Sequence, residues 1–366
     1  MNDLPLHFKS TALKFILRFL AIVATCGLAT TTKLVAAVGD SSIAAGAYEG
    51  LLDDKSGYAE FVLDRRDSFS GTIFINRVSH PIQGRLSDTG QFIGFSTAQF
   101  PVSLQLTTQS GSIPTITGSA GGISFTAYRA AYIQGALATE TGKYTLLLKP
   151  PGGNSGIPLG TGYATMAIGK TGRVRLTGKL ADGEPFSYST MVVGGPTGNQ
   201  CVLHAPLKRL PVAAKGVTGF LLGAFTFEDL AQSDLDGAVE WLNPAISINT
   251  ALRIVGARYV ATDGGSALPG FTNGILGLSD TGLLSLGLIK QITLTSANKL
   301  IVTNPGLDHL KIKISASSGL FTGSFLYPGE RKRTAFGGVI LQRDSEGAGF
   351  FVSPPAGTSA NVGLMP

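Results

Sequence analysis

Apolar residues alternate with charged or polar residues along the stretch from Arg173 to Leu180. One set is Val174, Leu176, Gly178 and Leu180, and the other is Arg173, Arg175, Thr177 and Lys179. A period of two places the sets on opposite faces of a β-strand, one buried and one in water. Asp182-Gly183 then favours a tight hairpin turn, and Phe186, Tyr188 and Thr190 begin a return strand. Residues 160–193 therefore predict a β-meander.

Parts of this pattern occur again elsewhere in the chain. Gly57-Tyr58-Ala59 resembles Gly162-Tyr163-Ala164, and a run of apolar residue, Ser or Thr, glycine, any residue and apolar residue follows each. The glycines of this run and of its variants are Gly71, Gly118, Gly178, Gly219, Gly237 and Gly323. A glycine in register with apolar side chains lets a strand bend sharply or lets another backbone approach it. A structural role in a strongly curved sheet is therefore favoured over a phosphate-binding loop.

Short alternating strands and glycine turns predict an all-β fold. We expect two consecutive antiparallel meander β-barrels with glycine-bent strands, rolled sandwiches being the alternative, after an N-terminal leader helix. The expected boundaries are 1–37 for the leader, 44–131 for the first barrel unit, 132–142 for a linker, 143–353 for the second barrel unit with an insertion at about 245–305, and 354–366 for a disordered tail.

The N-terminus is typical of an export signal. Lys9, Lys14 and Arg18 precede an apolar run at 19–29 that is short for a membrane span. Cleavage sites with small residues follow Ala29 and Ala37, and an uncleaved segment would act as an anchor. We therefore expect an exported protein that is secreted, periplasmic or on the cell surface.

The two cysteines differ in position. Cys26 lies in the leader, within an imperfect lipid-attachment pattern. Cys201 is alone in the remainder of the chain, so an intrachain disulfide after leader removal is excluded. A small buried hydrophobe is the expected role of Cys201.

Net charge indicates little about partners. The chain carries +6, half of it in residues 1–37, and the remainder has no basic run interleaved with aromatic residues. Nucleic-acid binding is therefore not predicted.

The ordered series of motifs resembles a known family. YEGLL, GKYTLLLKP, GTGYATMAIGKTGRVRLTGKLADGEPFSYST, AVEWLNP, SGLFTGSFLYPG and FGGVILQRDSEGAGFFV are similar to a two-barrel module of large exported proteins of some Gram-negative bacteria. There the module commonly follows immunoglobulin-like, β-propeller or similar extracellular repeats. The resemblance covers nearly all of the chain after the leader. It implies a two-barrel fold and an exported setting, and it supplies no established activity and no catalytic residues.

Catalytic motifs are not found in the sequence. The histidines are isolated, and no zinc-binding cluster, nucleophile elbow, Walker loop or dinucleotide fingerprint occurs. Asp53-Asp54 lacks the spaced oxygen ligands that calcium needs. Asp182 and Glu184, on one hairpin, are expected to be solvated rather than a glycosidase pair. The sequence thus predicts a protein that is not an enzyme, without a cofactor or a metal.

Two basic clusters are candidates for a partner surface. Arg173, Arg175 and Lys179 share the wet face of one strand, and Arg331, Lys332 and Arg333 follow a later strand. An anionic polysaccharide or lipopolysaccharide fits such a surface, but protection of sheet edges by lysine and arginine is the favoured explanation. The partner is unknown, with an anionic polysaccharide or another envelope protein as possibilities.

The predicted function is an exported, non-enzymatic module for surface interaction or scaffolding. The alternatives are a barrel that holds an apolar or glycan ligand, an outer-membrane barrel and an unrecognised hydrolase.

Overall fold

The computed structural model describes residues 44–75, 77–97, 99–133, 136–152, 160–207, 219–261, 266–355 and 357–366. The predicted leader, with its helix, its cleavage sites and Cys26, lies outside the described residues. The described residues form 24 β-strands and a short 3₁₀ helix at Pro244–Ile246. Among the same residues, no helix is long and apolar enough to cross a membrane.

The strands form three antiparallel sheets of eight strands each. Barrel 1 consists of β1 (Gly46–Leu51), β2 (Gly57–Leu63), β3 (Ser68–Ile75), β4 (Val78–Arg85), β5 (Gln91–Phe95), β6 (Pro101–Thr107), β7 (Thr115–Ala120) and β8 (Ile123–Arg129). Its strand order is β4-β3-β2-β1-β8-β7-β6-β5. Two meanders are thus joined where the first strand pairs with the last, and the sheet is nearly closed.

Barrel 2 repeats this topology, with the order β12-β11-β10-β9-β16-β15-β14-β13. Its strands are β9 (Gly142–Lys149), β10 (Gly162–Ile168), β11 (Arg173–Lys179), β12 (Pro185–Met191), β13 (Gln200–Pro206), β14 (Phe220–Phe227), β15 (Leu235–Asn243) and β16 (Ile248–Tyr259). The alternating stretch of the sequence forms β10, β11 and β12.

Barrel 3 joins its first and last strands in the same way, in the order β19-β18-β17-β24-β23-β22-β21-β20. Its strands are β17 (Asn273–Ser279), β18 (Leu288–Leu294), β19 (Leu300–Val302), β20 (Lys311–Ser315), β21 (Leu320–Leu326), β22 (Arg333–Leu341), β23 (Glu346–Val352) and β24 (Ser359–Met365). We call the boundary between the two edge strands of each barrel its seam.

The predicted fold class, all-β with antiparallel meander barrels, is confirmed, but the number of barrels is three rather than two. The range 143–353, predicted as one unit, contains barrel 2 and most of barrel 3. The expected insertion at 245–305 is regular structure: β16 completes barrel 2, and β17 to β19 begin barrel 3. Glycine, asparagine and threonine interrupt the alternation of apolar residues there, so the sequence does not indicate these strands. Pairing on both sides of a strand nevertheless stabilises such weakly patterned segments.

The predicted disordered tail is also wrong. Ser359–Met365 is β24, which pairs with both β17 and β23. Ala360, Val362 and Leu364 point into barrel 3 and are fully or nearly fully buried. Burial of alternate apolar side chains between two strands holds the segment in place, although Pro354 and Pro355 precede it.

Each barrel is filled by its own apolar side chains. Phe61 and Phe125 stack inside barrel 1, with ring centroids 5.8 Å apart. The single tryptophan, Trp241, is fully buried in the core of barrel 2. Phe325 and Phe351 meet edge to face inside barrel 3. These clusters occupy the interiors in which a small barrel would hold a ligand.

The repeated glycines fit the close approach that the sequence predicts for them. A Cβ added to Gly71 would lie 2.1 Å from the carbonyl oxygen of Glu60. The corresponding distances are 2.4 Å for Gly178 to Tyr163 and 2.3 Å for Gly323 to Lys311. Gly118, Gly219 and Gly237 each face a neighbouring carbonyl in the same way. Because a larger residue would push the neighbouring strand away, these glycines permit the strong curvature of the sheets.

The barrels pack in series. Barrel 1 meets barrel 2 through an apolar cluster of Tyr58, Phe74, Val193, Val202, Phe220 and Leu222, which we call the first junction. Barrel 2 meets barrel 3 through Leu147, Tyr163, Val255, Ala257, Val339, Leu341 and Phe350, the second junction. Barrel 1 contributes β2 and β3 to the first junction, with Leu51 of β1 packed against them, and barrel 2 contributes β9, β10 and β16 to the second. The repeated tyrosines Tyr58 and Tyr163 thus both pack at junctions.

Candidate functional site: a basic groove at the second junction

A groove of about 570 Å³ lies between barrel 2 and barrel 3. Barrel 2 contributes Tyr163, Lys179 and Gly183. Barrel 3 contributes the residues of three neighbouring strands, which are Thr322, Gly323, Thr334, Ala335, Phe336, Gly337, Phe350, Phe351 and Val352. The groove therefore exists only because two barrels are packed together.

Small residues make the floor of the groove. Thr322 of β21 is paired in register with Gly337 of β22, and Ser324 is paired with Ala335. A Cβ on Gly337 would lie 2.6 Å from the hydroxyl oxygen of Tyr163. Glycine at this position thus lets the tyrosine side chain lie directly on the backbone of β22.

Two aromatic residues form one wall. The rings of Tyr163 and Phe350 have centroids 5.7 Å apart and are tilted by 38°. Burial raises the pKa of the Tyr163 hydroxyl, so it stays protonated at neutral pH and can act as a hydrogen-bond donor. The wall combines an apolar surface with one polar atom, as is common where proteins contact amphipathic ligands.

Lysines surround the other side. A second hollow of about 290 Å³ is lined by Lys311, Ile312, Lys313, Thr322, Gly323 and Ser324. It shares Thr322 and Gly323 with the larger groove, so the two hollows adjoin. Lys311 and Lys313 alternate with Ile312 along β20 and are exposed, whereas the isoleucines face the core. Lys179 from barrel 2 faces the same region.

Arg333 closes one end of this basic region and is held in place by its own barrel. Its Nε donates to Ser324 Oγ at 2.9 Å, and its Nη2 donates to the Ser324 carbonyl at the same distance. Nη2 also donates to the His309 carbonyl. Since Ser324 is in register with Lys311, Arg333 lies beside the lysines at the edge of the smaller hollow.

The second junction is held by polar contacts as well as by its apolar cluster. The side-chain amide of Gln342 in barrel 3 accepts from the Val260 nitrogen at 2.8 Å and donates to the Val260 carbonyl at 3.1 Å. Arg343 forms ion pairs with Asp229 and Asp234 of barrel 2. A junction fixed at several points keeps the two sides of the groove at a constant separation.

The basic residues predicted as one partner surface lie in separate places in the structure. Lys179 lines the groove and Arg333 borders the smaller hollow. Arg173 and Arg175 lie toward the other end of β11, opposite Met191 and Ser189. At about 3.3 Å per residue, the Cα atom of Arg173 is roughly 20 Å from that of Lys179. Arg331 and Lys332 are exposed in the turn before β22.

Sequence reasoning missed four residues of the site. Lys311 and Lys313 were detectable in principle, because the run Lys-Ile-Lys-Ile-Ser places both lysines on the outer face of one strand. Tyr163 and Phe350 were not, because their contact joins strands of different barrels that lie far apart in the sequence.

The structure also differs from the expectation for the Asp182-Gly183-Glu184 hairpin. Glu184 is only 2% exposed, so it is not solvated. Asp182 Oδ1 accepts from the Glu184 nitrogen at 2.9 Å, and its Oδ2 accepts from Asn243 at 3.2 Å. These contacts fold the turn back onto barrel 2, and so bury the glutamate.

A second set of titratable residues lies at the first junction. Glu49 is paired in register with Glu60 on the outer face of barrel 1. Its carboxylate accepts a hydrogen bond from Thr190 of β12, beside the seam of barrel 2. Burial raises the pKa of Glu49 to about 7, a shift that the Thr190 hydrogen bond reduces and the neighbouring Glu60 charge increases. Burial also raises the pKa of Glu60.

His204 lies in the same junction. Its ring stacks on Tyr58 at a centroid distance of 4.3 Å and meets Phe74 at 4.2 Å. Its Nε2 atom is buried and has no hydrogen-bond partner among the described residues. Burial lowers the pKa of His204 to about 4, because an imidazolium cannot be solvated between aromatic rings.

Neither site shows the arrangement of a metal centre. Within the described ranges, no group of three or more His, Cys, Asp or Glu side chains is placed to hold a metal ion.

Comparisons with known proteins identify no family for this chain. No protein-family model matches the chain, and no curated protein matches it either. One similar structure is a double mutant of the vaccine antigen Transferrin Binding Protein B from Haemophilus parasuis Hp5, 12% identical over 87% of this chain and 75% of that chain, with a TM-score of 0.21. Another is Endo-1,5-alpha-L-arabinanase from Thermotoga petrophila RKU-1, 9% identical over 86% of this chain and 82% of that one, with a TM-score of 0.22. At such TM-scores neither likeness bears on the function of this chain, and membership of the two-barrel family stays a prediction.

Proposed function

We propose that this chain is an exported, non-enzymatic β-barrel module that binds an anionic polysaccharide in the groove at the second junction. The observation that carries the proposal is the convergence of Lys179, Lys311 and Lys313 on two adjoining hollows beside the Tyr163 and Phe350 rings. The sequence pattern of residues 1–29 supports export.

Charge and shape favour this class of ligand. Lysines from two barrels present positive charge along an extended track rather than at one point, as a polymer with repeated carboxylate or sulfate groups requires. Thr322 and Ser324 offer hydroxyl groups beside Lys313 and Lys311, with which they are paired in register, and the nearly buried Tyr163 and Phe350 rings shape the wall of the groove. The filled barrel interiors favour an external groove over a ligand held inside one barrel.

A binding role is favoured over catalysis by the composition of the groove. Among the described residues that line the two hollows, none is Asp, Glu, His or Cys. General acid and base groups for glycoside cleavage are ordinarily carboxylates on either side of the bond. We therefore assign the groove to recognition without turnover.

The test is a calorimetric titration of the purified protein with polygalacturonate. Neutral dextran is the comparison polymer. We expect polygalacturonate to bind, and its affinity should fall as the salt concentration rises, because surface charges are screened over about 8 Å at physiological ionic strength. The double variant Lys311→Glu with Lys313→Glu should bind at least about tenfold more weakly, a loss of ~1.4 kcal/mol.

The matched control is Lys299→Glu, an exposed lysine in the turn before β19 of the same barrel. It reverses one lysine charge, as each substitution of the double variant does, but away from the groove, and should bind normally. Equal loss in the control, or no preference for polygalacturonate over dextran, would refute the groove as the site. New reducing ends after incubation with the polymer would refute the non-enzymatic assignment.

A further inference from the structure

One end of barrel 3 carries three strongly exposed leucines. Leu283 is 66% exposed, Leu286 is 97% exposed and Leu307 is 89% exposed. Among the described residues, the other leucine that is more than half exposed is Leu137, which lies outside barrel 3. Exposed apolar residues that are scattered singly need no explanation, whereas a group of them in one place marks a contact site.

The topology of barrel 3 brings these leucines to the same end. Leu283 and Leu286 lie in the segment 280–287 between β17 and β18, and Leu307 lies in the segment 303–310 between β19 and β20. Because paired strands are antiparallel throughout the sheet, alternate connections lie at one end. The β21–β22 turn and the β23–β24 connection lie at this end too. We call it the leucine end.

One carboxylate joins three of the four connections at the leucine end. Asp280 Oδ1 accepts from the Gly282 nitrogen at 2.8 Å and from the Leu284 nitrogen at 2.9 Å. Its Oδ2 accepts from the Tyr327 hydroxyl at 2.6 Å and from the Ser353 hydroxyl at 2.7 Å. Leu284 is buried in the core of barrel 3. The segment between β17 and β18 is therefore anchored, and its other leucines are held in solvent.

The fourth connection is fixed as well. The Asp308 carbonyl accepts from the Leu326 nitrogen at 2.6 Å. The His309 carbonyl accepts from Arg333 Nη2. Both contacts reach the ends of the strands that flank the β21–β22 turn, so the segment that carries Leu307 lies beside this turn.

The β21–β22 turn adds positive charge to the leucine end. Arg331 and Lys332 are exposed in the turn, and Arg333 follows at the start of β22. Glu330 is the single acidic residue of the turn. Three basic residues against one acidic residue thus lie beside the leucines.

We propose that the leucine end of barrel 3 binds the surface of an anionic lipid bilayer, with its leucines among the acyl chains and Arg331 and Lys332 on the lipid phosphates. Apolar side chains that project from separate connections can enter between lipid headgroups, and basic residues beside them add attraction to anionic lipid. A protein partner would instead favour one continuous apolar surface. The leucines are not among the described residues that line the groove, so the proposal does not depend on polysaccharide binding.

Site-specific labelling tests the proposal in the full-length chain with Cys26→Ser as background, since the remaining cysteine, Cys201, is fully buried. An NBD fluorophore is attached to Leu283→Cys, and the probe is vesicles of equal parts phosphatidylglycerol and phosphatidylcholine. We expect NBD emission to rise at least about twofold, because the dye leaves water. The same dye on Leu137→Cys, a position 70% exposed, is the matched control and should not respond. The readout is local, so membrane contact by residues 1–37 does not produce it.

Further substitutions in the labelled Leu283→Cys chain test the leucines and the charge separately. Leu286→Ser should lower the docking constant obtained from the NBD signal about tenfold, because a leucine side chain is no longer removed from water. Lys332→Glu should lower it at least about fivefold. Lys299→Glu makes the same charge reversal in the turn before β19, at the opposite end of barrel 3, and should leave it unchanged.

Several outcomes would overturn the proposal. One is a lack of NBD response at Leu283→Cys, and another is docking that Leu286→Ser leaves unchanged. Equal docking on vesicles of phosphatidylcholine alone would contradict the anionic lipid. Self-association that Leu286→Ser abolishes, without any response to vesicles, would replace the bilayer by a contact between copies of the chain.

Discussion

Glu49 and His204 at the first junction should make opposite contributions to the pH dependence of stability. Burial raises the pKa of Glu49 from 4.5 to about 7 and lowers that of His204 from 6.5 to about 4. Folding therefore favours the neutral form of each group. Glu49 has to lose a proton to become charged, whereas His204 has to gain one.

The signs follow from proton binding. Between pH 4.5 and 7 the folded state holds a proton on Glu49 that the unfolded state has lost, so stability decreases as pH rises through this range. Between pH 4 and 6.5 the unfolded state holds a proton on His204 that the folded state lacks, so stability decreases as pH falls. Each change amounts to about 3 kcal/mol, at ~1.4 kcal/mol per unit of pKa. In the natural protein the two changes largely cancel between pH 4.5 and 6.5.

Single substitutions should show the pH dependence of stability that each residue contributes. Glu49→Gln keeps a side-chain oxygen that can accept from Thr190 and cannot titrate, so this variant should lose about 3 kcal/mol between pH 6.5 and 4. His204→Phe keeps an aromatic ring in the junction and removes the proton site. This variant should gain about 3 kcal/mol between pH 7 and 4.5, and the double variant should show neither slope. Burial also raises the pKa of Glu60. Glu60 therefore lowers stability as pH rises, as Glu49 does, in the natural protein and in all three variants.

The assay is urea unfolding at pH 4.0 to 8.0, followed by tryptophan fluorescence. Trp241 is the only tryptophan and lies in the core of barrel 2, so the signal reports the barrel that both residues contact. A change of 3 kcal/mol moves the urea midpoint by about 1–2 M. Constant effects of repacking drop out, because slopes are compared rather than absolute stabilities.

Glu228→Gln is the control, since Glu228 is exposed after β14 and should leave the slope unchanged. A pH profile like that of the natural protein in both Glu49→Gln and His204→Phe would contradict the two pKa shifts. A slope of the same sign in both variants would contradict them as well.

Two further predictions concern packing inside the barrels. Gly178→Ala should lower the stability of barrel 2 by about 1–3 kcal/mol, because its Cβ would lie 2.4 Å from the Tyr163 carbonyl and 2.7 Å from Ala164; Gly277→Ala, whose Cβ meets no atom within 4 Å, is the matched substitution and should be tolerated in urea unfolding. Asp308→Asn should destabilise barrel 3 by roughly 3 kcal/mol in unfolding followed by circular dichroism, because it leaves the buried Lys290 ammonium without its counter-ion. Adding Lys290→Met should restore most of that loss, and failure to do so would show that the ion pair is not the cause.

Local patterns in the sequence predicted the strands better than the boundaries between barrels. Alternation at 173–180 and the Asp182-Gly183 turn defined β11, β12 and the hairpin between them, since both depend on neighbouring residues. The close contacts of Gly71, Gly178 and Gly323 were expected for the same reason. Barrel 3 was missed because its first strand, β17, carries two glycines and an asparagine and is held by pairing with β24, about 85 residues later.

The candidate site was predictable only in part. Outward charge on a strand can be read from the sequence, which identified Lys179 and Arg333 as surface residues. Which basic residues share a groove depends on how barrels 2 and 3 pack. Tyr163 was noticed as half of a repeat with Tyr58, but its contact with Gly337 depends on docking between barrels, and no local period encodes that contact.

The position of the last strand in each barrel has a consequence for the order of folding. β8, β16 and β24 lie in the middle of their sheets, each between the first strand and the next-to-last strand. Until that strand is available, no ladder between strands joins the two meanders, and pairing it closes a long loop whose entropy cost precedes the gain. During synthesis from the N-terminus, barrel 1 can close once Arg129 has emerged, while each later barrel waits for its own final strand. Loss of residues 359–365 would remove the strand that joins the two halves of barrel 3, and we expect such a truncated chain to present two unpaired edges to proteases.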